Sequence, residues 1–181
     1  MKYYKYLSDL PWQPVTEKLK WYLLESNTSY LANTSVNMWR YADRNDLFEK
    51  VPELQELFKP MGLTIHFAAF FVSENRSSLI HIDADKNSNA RINLPVLNCE
   101  NTETRFYKSD YPPVKRQQPD GINYWYIDPV TCTHVDSFFL NEPVIFKVNE
   151  PHQVIGESVT TIPRVSCTIG FTQEIIHLID K

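Results

Sequence analysis

His81-Ile82-Asp83 sets a histidine and an aspartate two residues apart in a stretch, SLIHID, whose composition suits a β-strand. Residues i and i+2 of a strand point to one face. The imidazole and the carboxylate therefore stand side by side, while Ile80 and Ile82 turn the other way. Two such groups can fill two corners around a divalent metal ion. A second histidine would complete a facial triad of two His and one carboxylate, which binds Fe(II) and leaves positions open for cosubstrate and O2. The same tripeptide also fits a strand that simply ends in polar residues, so a third ligand must come from elsewhere.

Four further histidines are available. His66, in TIHFAAF, reads as a core histidine; His134, in TCTHVD, lies in a polar stretch near a loop; His177 belongs to the C-terminal tail. His152 is the best third ligand. It follows the apolar run PVIFKV and the turn NEP, and it opens the next strand, HQVI. Twelve residues later, after a turn at Gly156-Glu157-Ser158, TIPRVSCTIGF sets Arg164 and Ser166 on one strand face, with Val165 and Cys167 on the other. An arginine among apolar strand residues is costly unless it meets an anion. Its planar fork suits a carboxylate, and the serine hydroxyl can add a hydrogen bond. Arg91 and Asn93, in ARINLPVL, form a similar pair. They could contact a substrate or cosubstrate carboxylate, or lie on the surface. Asp85 shares the strand face of Asp83 and reads as a solvent-exposed charge or a partner of the ligands. Tyr107, Tyr124 and Tyr126 are further donors to a carboxylate.

These residues need a scaffold of short strands. From residue 62 the chain runs through TIHFAAFFV, SLIHID, ARINLPVLNC, TRFYK, NYWYID, PVIFKV, HQVI and TIPRVSCTIGF, separated by turn-like polar segments. That pattern predicts an antiparallel sandwich or barrel. Residues 1 to 60 read as helical and irregular. Pro14 to Glu25 places Val15, Leu19, Tyr22 and Leu23 near one helical face; Asp46 to Phe58 does so with Leu47, Val51, Leu54 and Phe58, with a break or restart at Pro52. Pro60-Met61-Gly62 ends the helical part. The expectation is a single domain, 1–181, with a helical layer (1–60) packed on a β core (61–181). Lys108 to Gly121 and the segment around Trp39-Arg40-Tyr41 read as variable loops that set specificity.

The chain has 181 residues, with 43% hydrophobic and 22% charged, which places it among soluble globular proteins. A net charge of −4 gives no electrostatic footprint for nucleic acid. No stretch has the length and apolarity of a membrane span, and the N-terminus has no signal-type apolar run. Cys99, Cys132 and Cys167 form no metal-binding spacing; an odd number of cysteines without a leader points to free thiols in the cytoplasm.

The ordered set His81-x-Asp83, His152 and Arg164-x-Ser166 resembles the 2-oxoglutarate- and Fe(II)-dependent oxygenases, whose pattern is HxD or HxE, a distal His, then Arg-x-Ser. The resemblance covers residues 62 to 172. A narrower likeness is to the aspartyl/asparaginyl β-hydroxylase branch, which includes bacterial proline hydroxylases. It is carried by Arg91 in ARINLPVL and by the strand–turn–His segment PVIFKVNEPHQV. Some members of that branch have Gly in place of the ligand Asp and a His where Asn93 stands; this chain keeps Asp83, which favours a full triad.

The resemblance implies a double-stranded β-helix, the jelly roll shared with cupins. It implies His81, Asp83 and His152 as catalytic metal ligands. It implies that 2-oxoglutarate chelates the iron, with its C5 carboxylate on Arg164 and Ser166, and with Arg91 and Asn93 beside cosubstrate or substrate. The activity implied is hydroxylation of a small polar molecule or amino-acid side chain by O2, with succinate and CO2 as co-products. Two alternatives stay open: a cupin-like metalloenzyme that does not use 2-oxoglutarate, for which Arg164-x-Ser166 has no purpose, and a non-catalytic jelly-roll binding module.

Overall fold

The computed structural model describes residues 1–26, 31, 38–73, 78–83, 89–117, 123–156 and 163–180. Helix α1 (Gln13–Trp21) carries Pro14 in its first turn, where a missing N–H costs nothing, and runs on as a π-helical turn, Tyr22–Ser26. Val15, Leu19, Tyr22 and Leu23 are all buried along it. Asp43 caps α2 (Arg44–Lys50) by accepting from the backbone N–H groups of Asn45 and Asp46. Pro52 separates α2 from α3 (Glu53–Phe58), and Gly62 follows at φ 69°, a left-handed conformation that glycine adopts without strain. Leu47, Val51, Leu54 and Phe58 pack together with the α1 residues in one core.

Among the described residues twelve strands follow the chain order: β1 (Tyr4–Tyr6), β2 (Met38–Tyr41), β3 (Ile65–Ser73), β4 (His81–Asp83), β5 (Ala90–Leu97), β6 (Thr102–Ser109), β7 (Val114–Gln117), β8 (Asn123–Tyr126), β9 (Cys132–Phe139), β10 (Val144–Lys147), β11 (His152–Gly156) and β12 (Arg164–Phe171). They form two six-stranded antiparallel sheets, ordered β1-β10-β5-β12-β3-β2 and β7-β8-β4-β11-β6-β9. The fold is a double-stranded β-helix with N-terminal helices, as the strand pattern and the resemblance led one to expect.

Alternation along β12 shows how the layers are built. Val165, Cys167, Ile169 and Phe171 join the helical core, so α1–α3 cover the outer face of the first sheet. Arg164, Ser166, Thr168 and Gly170 occupy the opposite face. That face looks toward the second sheet: Arg164 Nε donates to Thr102 Oγ1 of β6 at 2.9 Å. One part of the inter-sheet space is apolar, filled by Tyr3, Phe106, Phe138, Val144 and Phe146. Another part holds polar groups, among them Arg91, Asn93, Arg164, Ser166 and Thr168. Gly170 is required there, because a Cβ at this position would lie 2.1 Å from Cε1 of Phe67. The Phe67 ring in turn supports the Arg91 guanidinium, 5.3 Å from its centroid.

Four expectations need correction. The first sixty residues are not only helical and irregular: β1 adds to β10 and β2 to β3 as edge strands. At three and four residues they are too short to display a period, and their ladder partners lie far away in sequence. Lys108 to Gly121 is not one loop but includes strand β7, paired with β8; residues 118–122 lie outside the described residues. His134 lies within β9 rather than near a loop, exposed, with its Nε2 3.0 Å from the Asp136 carbonyl. His66 is exposed, not core. The β12–β3 register passes from Gly170↔Phe67 to Phe171↔Ile65, so His66 is the extra residue of a bulge and is turned outward. The turn at 156–158 and Asp85 fall largely or wholly outside the described residues. No described helix is long and apolar enough to cross a membrane.

Candidate metal and carboxylate site

His152 is the direct ladder partner of His81, across the β4–β11 pair. Asp83, two residues on, shares the face of His81. This short stretch of sheet brings one ligand atom from each of His81, Asp83 and His152 within 4.8 Å of one another. The two imidazoles lie 4.5 Å apart, centroid to centroid. His81 and Asp83 are half-buried and His152 is buried, so the cluster is shielded yet reachable. His177, by contrast, stands in a 3-10 turn (Ile176–Leu178) and takes no part.

Hydrogen bonds set the tautomers. His81 Nδ1 donates to the Leu79 carbonyl at 2.8 Å, and His152 Nδ1 donates to the Glu150 carbonyl at 2.9 Å. In the neutral rings Nε2 is then left with its lone pair, the form in which imidazole binds a metal. His81 Nε2 lies 3.5 Å from Asp83 Oδ1. A lone pair facing a carboxylate oxygen calls for a cation between them, either a proton on His81 or a metal ion. The other carboxylate oxygen is engaged: Arg91 Nη1 lies 2.8 Å from Asp83 Oδ2. Because β5 and β4 belong to different sheets, this ion pair bridges them and leaves Oδ1 turned toward the histidines.

The titration behaviour follows. Burial alone would raise Asp83, but Arg91 and His81 outweigh it and hold the carboxyl well below its usual range. Burial alone would lower His81, but Asp83 reverses the effect and raises it. His152 is depressed to about 4, first by burial and then by the neighbouring charge of His81. A group depressed in the folded state stabilises fully above its unfolded value and loses that contribution as pH falls through the folded one. The metal-free protein should therefore lose stability from its neutral His152 between pH 6.5 and about 4, by an amount on the order of 3 kcal/mol. His152→Gln should flatten this part of the pH profile of chemical denaturation; an identical slope in the variant and the parent would refute it.

A second feature lies across the inter-sheet space. Arg164 is 2% exposed and ranks among the largest fully buried side chains. Its Nε bonds Thr102 Oγ1, and its Nη1 lies 3.5 Å from Ser166 Oγ. Thr102 Oγ1 itself donates to the Cys99 carbonyl at 2.6 Å, which fixes the hydroxyl that receives the guanidinium. Among the described residues no carboxylate pairs with Arg164; burial lowers its pKa, and the opposing influence comes from the Cys99 thiol. Burying a guanidinium among hydroxyls alone costs several kcal/mol. An anion beside the guanidinium would offset that cost.

Other sequence-derived candidates take different places. Asn93 accepts from Thr168 Oγ1 at 2.7 Å on the inner face. Arg91 has its anion within the protein, so it does not need a substrate carboxylate for compensation. Tyr107 turns away and donates to Gln153 Oε1. Tyr124 and Tyr126 face the cluster, opposite Asp83 and His81. Cys99, Cys132 and Cys167 are free thiols, each with its pKa raised by burial, Cys167 to about 12, so none is a thiolate near neutral pH. Thr102 and the Arg91–Asp83 pairing were not apparent in the sequence; only the juxtaposition of the two sheets reveals them.

Fold and site together define a double-stranded β-helix with a His-Asp-His cluster able to hold a metal ion. Among solved structures, the chain is similar to the epimerase SnoN in complex with Fe3+, alpha ketoglutarate and nogalamycin RO, at 14% identity over 99% of this chain and 85% of that one, with a TM-score of 0.52. It is also similar to a prolyl-4-hydroxylase from Pseudomonas putida, at 14% identity over 97% of this chain and 95% of that one, TM-score 0.48. At these identities the first likeness speaks for a shared fold. No family model and no curated protein matches the sequence.

Proposed function

We propose that this protein is a 2-oxoglutarate- and Fe(II)-dependent oxygenase that hydroxylates an unactivated C–H bond of a small polar molecule or amino-acid side chain. The observation that carries this reading is the buried Arg164 guanidinium, with hydroxyls but, among the described residues, no carboxylate around it, in the same inter-sheet space as the His-Asp-His cluster. A cupin-like metalloenzyme working without 2-oxoglutarate would have no use for that charge. The donor set of two imidazoles and one carboxylate suits Fe(II).

In this reading His81 and His152 bind iron through Nε2 and Asp83 through Oδ1. Arg164 and Ser166 receive the distal carboxylate of 2-oxoglutarate, with Thr102 fixing the guanidinium. Iron and the 2-oxoacid, when bound, supply the oxidising chemistry, with O2 as oxidant and succinate and CO2 as co-products. The chain's own part is to place and to shield. Phe106 and Phe146, with rings 6.3 and 5.7 Å from His152, line the cluster with apolar surface and exclude water. Arg91, with Asn93 on the same inner face beside the cosubstrate, acts through Asp83 by holding its carboxylate in a single orientation. The chain works as one cytoplasmic domain, the helices buttressing the sheet that carries Arg164.

Arg91→Met should weaken Mn(II) binding about 10–100-fold, the usual effect of removing a partner that orients a metal ligand, and Arg91→Lys should restore part of it. Unchanged Mn(II) affinity in Arg91→Met would show that the ion pair does not serve the metal. The reading as a whole is tested by turnover. Protein, Fe(II) and 2-oxoglutarate are incubated in air with a reductant, and succinate is followed by proton NMR. Slow succinate formation that requires Fe(II) and disappears in Asp83→Asn is expected; no succinate, or the same amount in the variant, would overturn it.

A further inference from the structure

The face that bears the metal cluster does not stop at β4. Tyr126 lies directly opposite His81 and Tyr124 opposite Asp83; on the next strand Val114 lies opposite Tyr126 and Arg116 opposite Tyr124. Directly opposed residues of antiparallel strands project to the same side. His81 and Asp83 are thus continued outward by Tyr126, Tyr124, Val114 and Arg116, with Trp125 and Lys115 on the reverse. Burial agrees: Tyr124 and Tyr126 are half-buried, and Asn123 and Trp125 are exposed. The Tyr124 ring stands edge-on to His81, 6.2 Å away at 87°.

Arg116 leans diagonally across this surface. Its guanidinium carbon lies 3.8 Å from the centre of the Tyr126 ring, in stacking contact beside the cluster. One face of the guanidinium is covered by the ring, and its hydrogen-bonding edge stays available. Arg116 is exposed, and no carboxylate among the described residues pairs with it. The other arginines near the site have other roles: Arg91 pairs with Asp83, and Arg164, buried beside Thr102, is given to the distal carboxylate of 2-oxoglutarate in the oxygenase reading. A stacked guanidinium has already given up much of its side-chain freedom, so it loses less on gripping an anion.

We infer that Arg116 selects the substrate by binding its carboxylate, with the carbon skeleton lying over Tyr124 and Tyr126 and reaching toward His81, Asp83 and His152. β7 is two strands from β4, roughly 10 Å at the usual inter-strand spacing. A small carboxylic acid or amino acid spans that interval; a large ligand is not needed. The inference deepens the oxygenase reading and rests on it for the identity of the ligand as substrate, although carboxylate binding by Arg116 can be measured without turnover.

The experiment is calorimetric titration of the protein, loaded with Mn(II) and 2-oxoglutarate, with a panel of small linear and cyclic carboxylic acids and α-amino acids, each beside its primary amide. At least one acid should bind at least tenfold more tightly than its amide. Arg116→Gln should erase that preference, and Arg116→Lys should keep part of it. Equal binding of acid and amide, a preference that survives Arg116→Gln, or no binding of any acid to a protein that does take up Mn(II) and 2-oxoglutarate would each overturn the inference. An Arg116-dependent preference in a protein that binds no 2-oxoglutarate would uphold carboxylate capture and sink the oxygenase reading instead. Failure of every ligand would overturn both.

Discussion

Arg164→Met should remove 2-oxoglutarate binding while leaving Mn(II) binding in place. Breaking one side of a buried charge pair typically costs about 3–5 kcal/mol, which corresponds to roughly two to four orders of magnitude in affinity. The variant has a second signature. In the ligand-free protein Arg164 is a desolvated charge that, among the described residues, is held by Thr102 and Ser166. Methionine fills similar space without the desolvation cost, so the ligand-free variant should be at least as stable as the parent to chemical denaturation. Weaker cosubstrate binding with undiminished stability is what an anion-binding arginine gives. A purely structural arginine would give the reverse, a destabilised protein with 2-oxoglutarate affinity unchanged, and that result would remove Arg164 from the site.

Substitution of the cluster should have effects of similar size on the metal. His81→Ala, His152→Ala and Asp83→Asn should each weaken Mn(II) binding by more than the roughly 10–100-fold that loss of a partner behind a ligand produces. Asp83 deserves the conservative change, because alanine there would leave Arg91 buried without its carboxylate and confound metal loss with unfolding. The histidine variants separate further. His81→Ala removes the proton acceptor next to Asp83, whereas His152→Ala opens a buried position between the Phe106 and Phe146 rings. The latter should cost more stability for the same loss of metal. Titration followed by the electron paramagnetic resonance of free Mn(II) measures all three; unchanged affinity throughout would dissolve the proposed centre.

Much of this arrangement is legible in the sequence, for definite physical reasons. His81 and Asp83 follow the two-residue period of a strand, as do Arg164 and Ser166, and that period fixes which side chains share a face. Leu19 and Leu54 follow the helical period equally well, and both are fully buried. What the sequence conceals are relations between elements. The ion pair from Arg91 to Asp83 and the hydrogen bond from Arg164 to Thr102 both cross from one sheet to the other, and no local pattern encodes which strands face each other. β1 and β2 are too short to show alternation and exist because β10 and β3 offer them an edge. His66 looked internal because its neighbours are apolar; a one-residue bulge turned it outward. Arg116 sat in a stretch rich in Pro, Lys and Gln that reads as a loop, and its meaning depends on the β7–β8 pairing that carries it to the Tyr126 ring.

Calorimetric titration of 2-oxoglutarate into the protein with and without Mn(II) shows most directly whether the cluster and Arg164 act on one ligand. If the cluster and Arg164 grip opposite ends of one molecule, 2-oxoglutarate binds the metal-loaded protein at one site per chain, and its affinity falls by orders of magnitude when the metal is left out. Binding that ignores the metal, or no binding to a protein that has taken up Mn(II), would show that they do not.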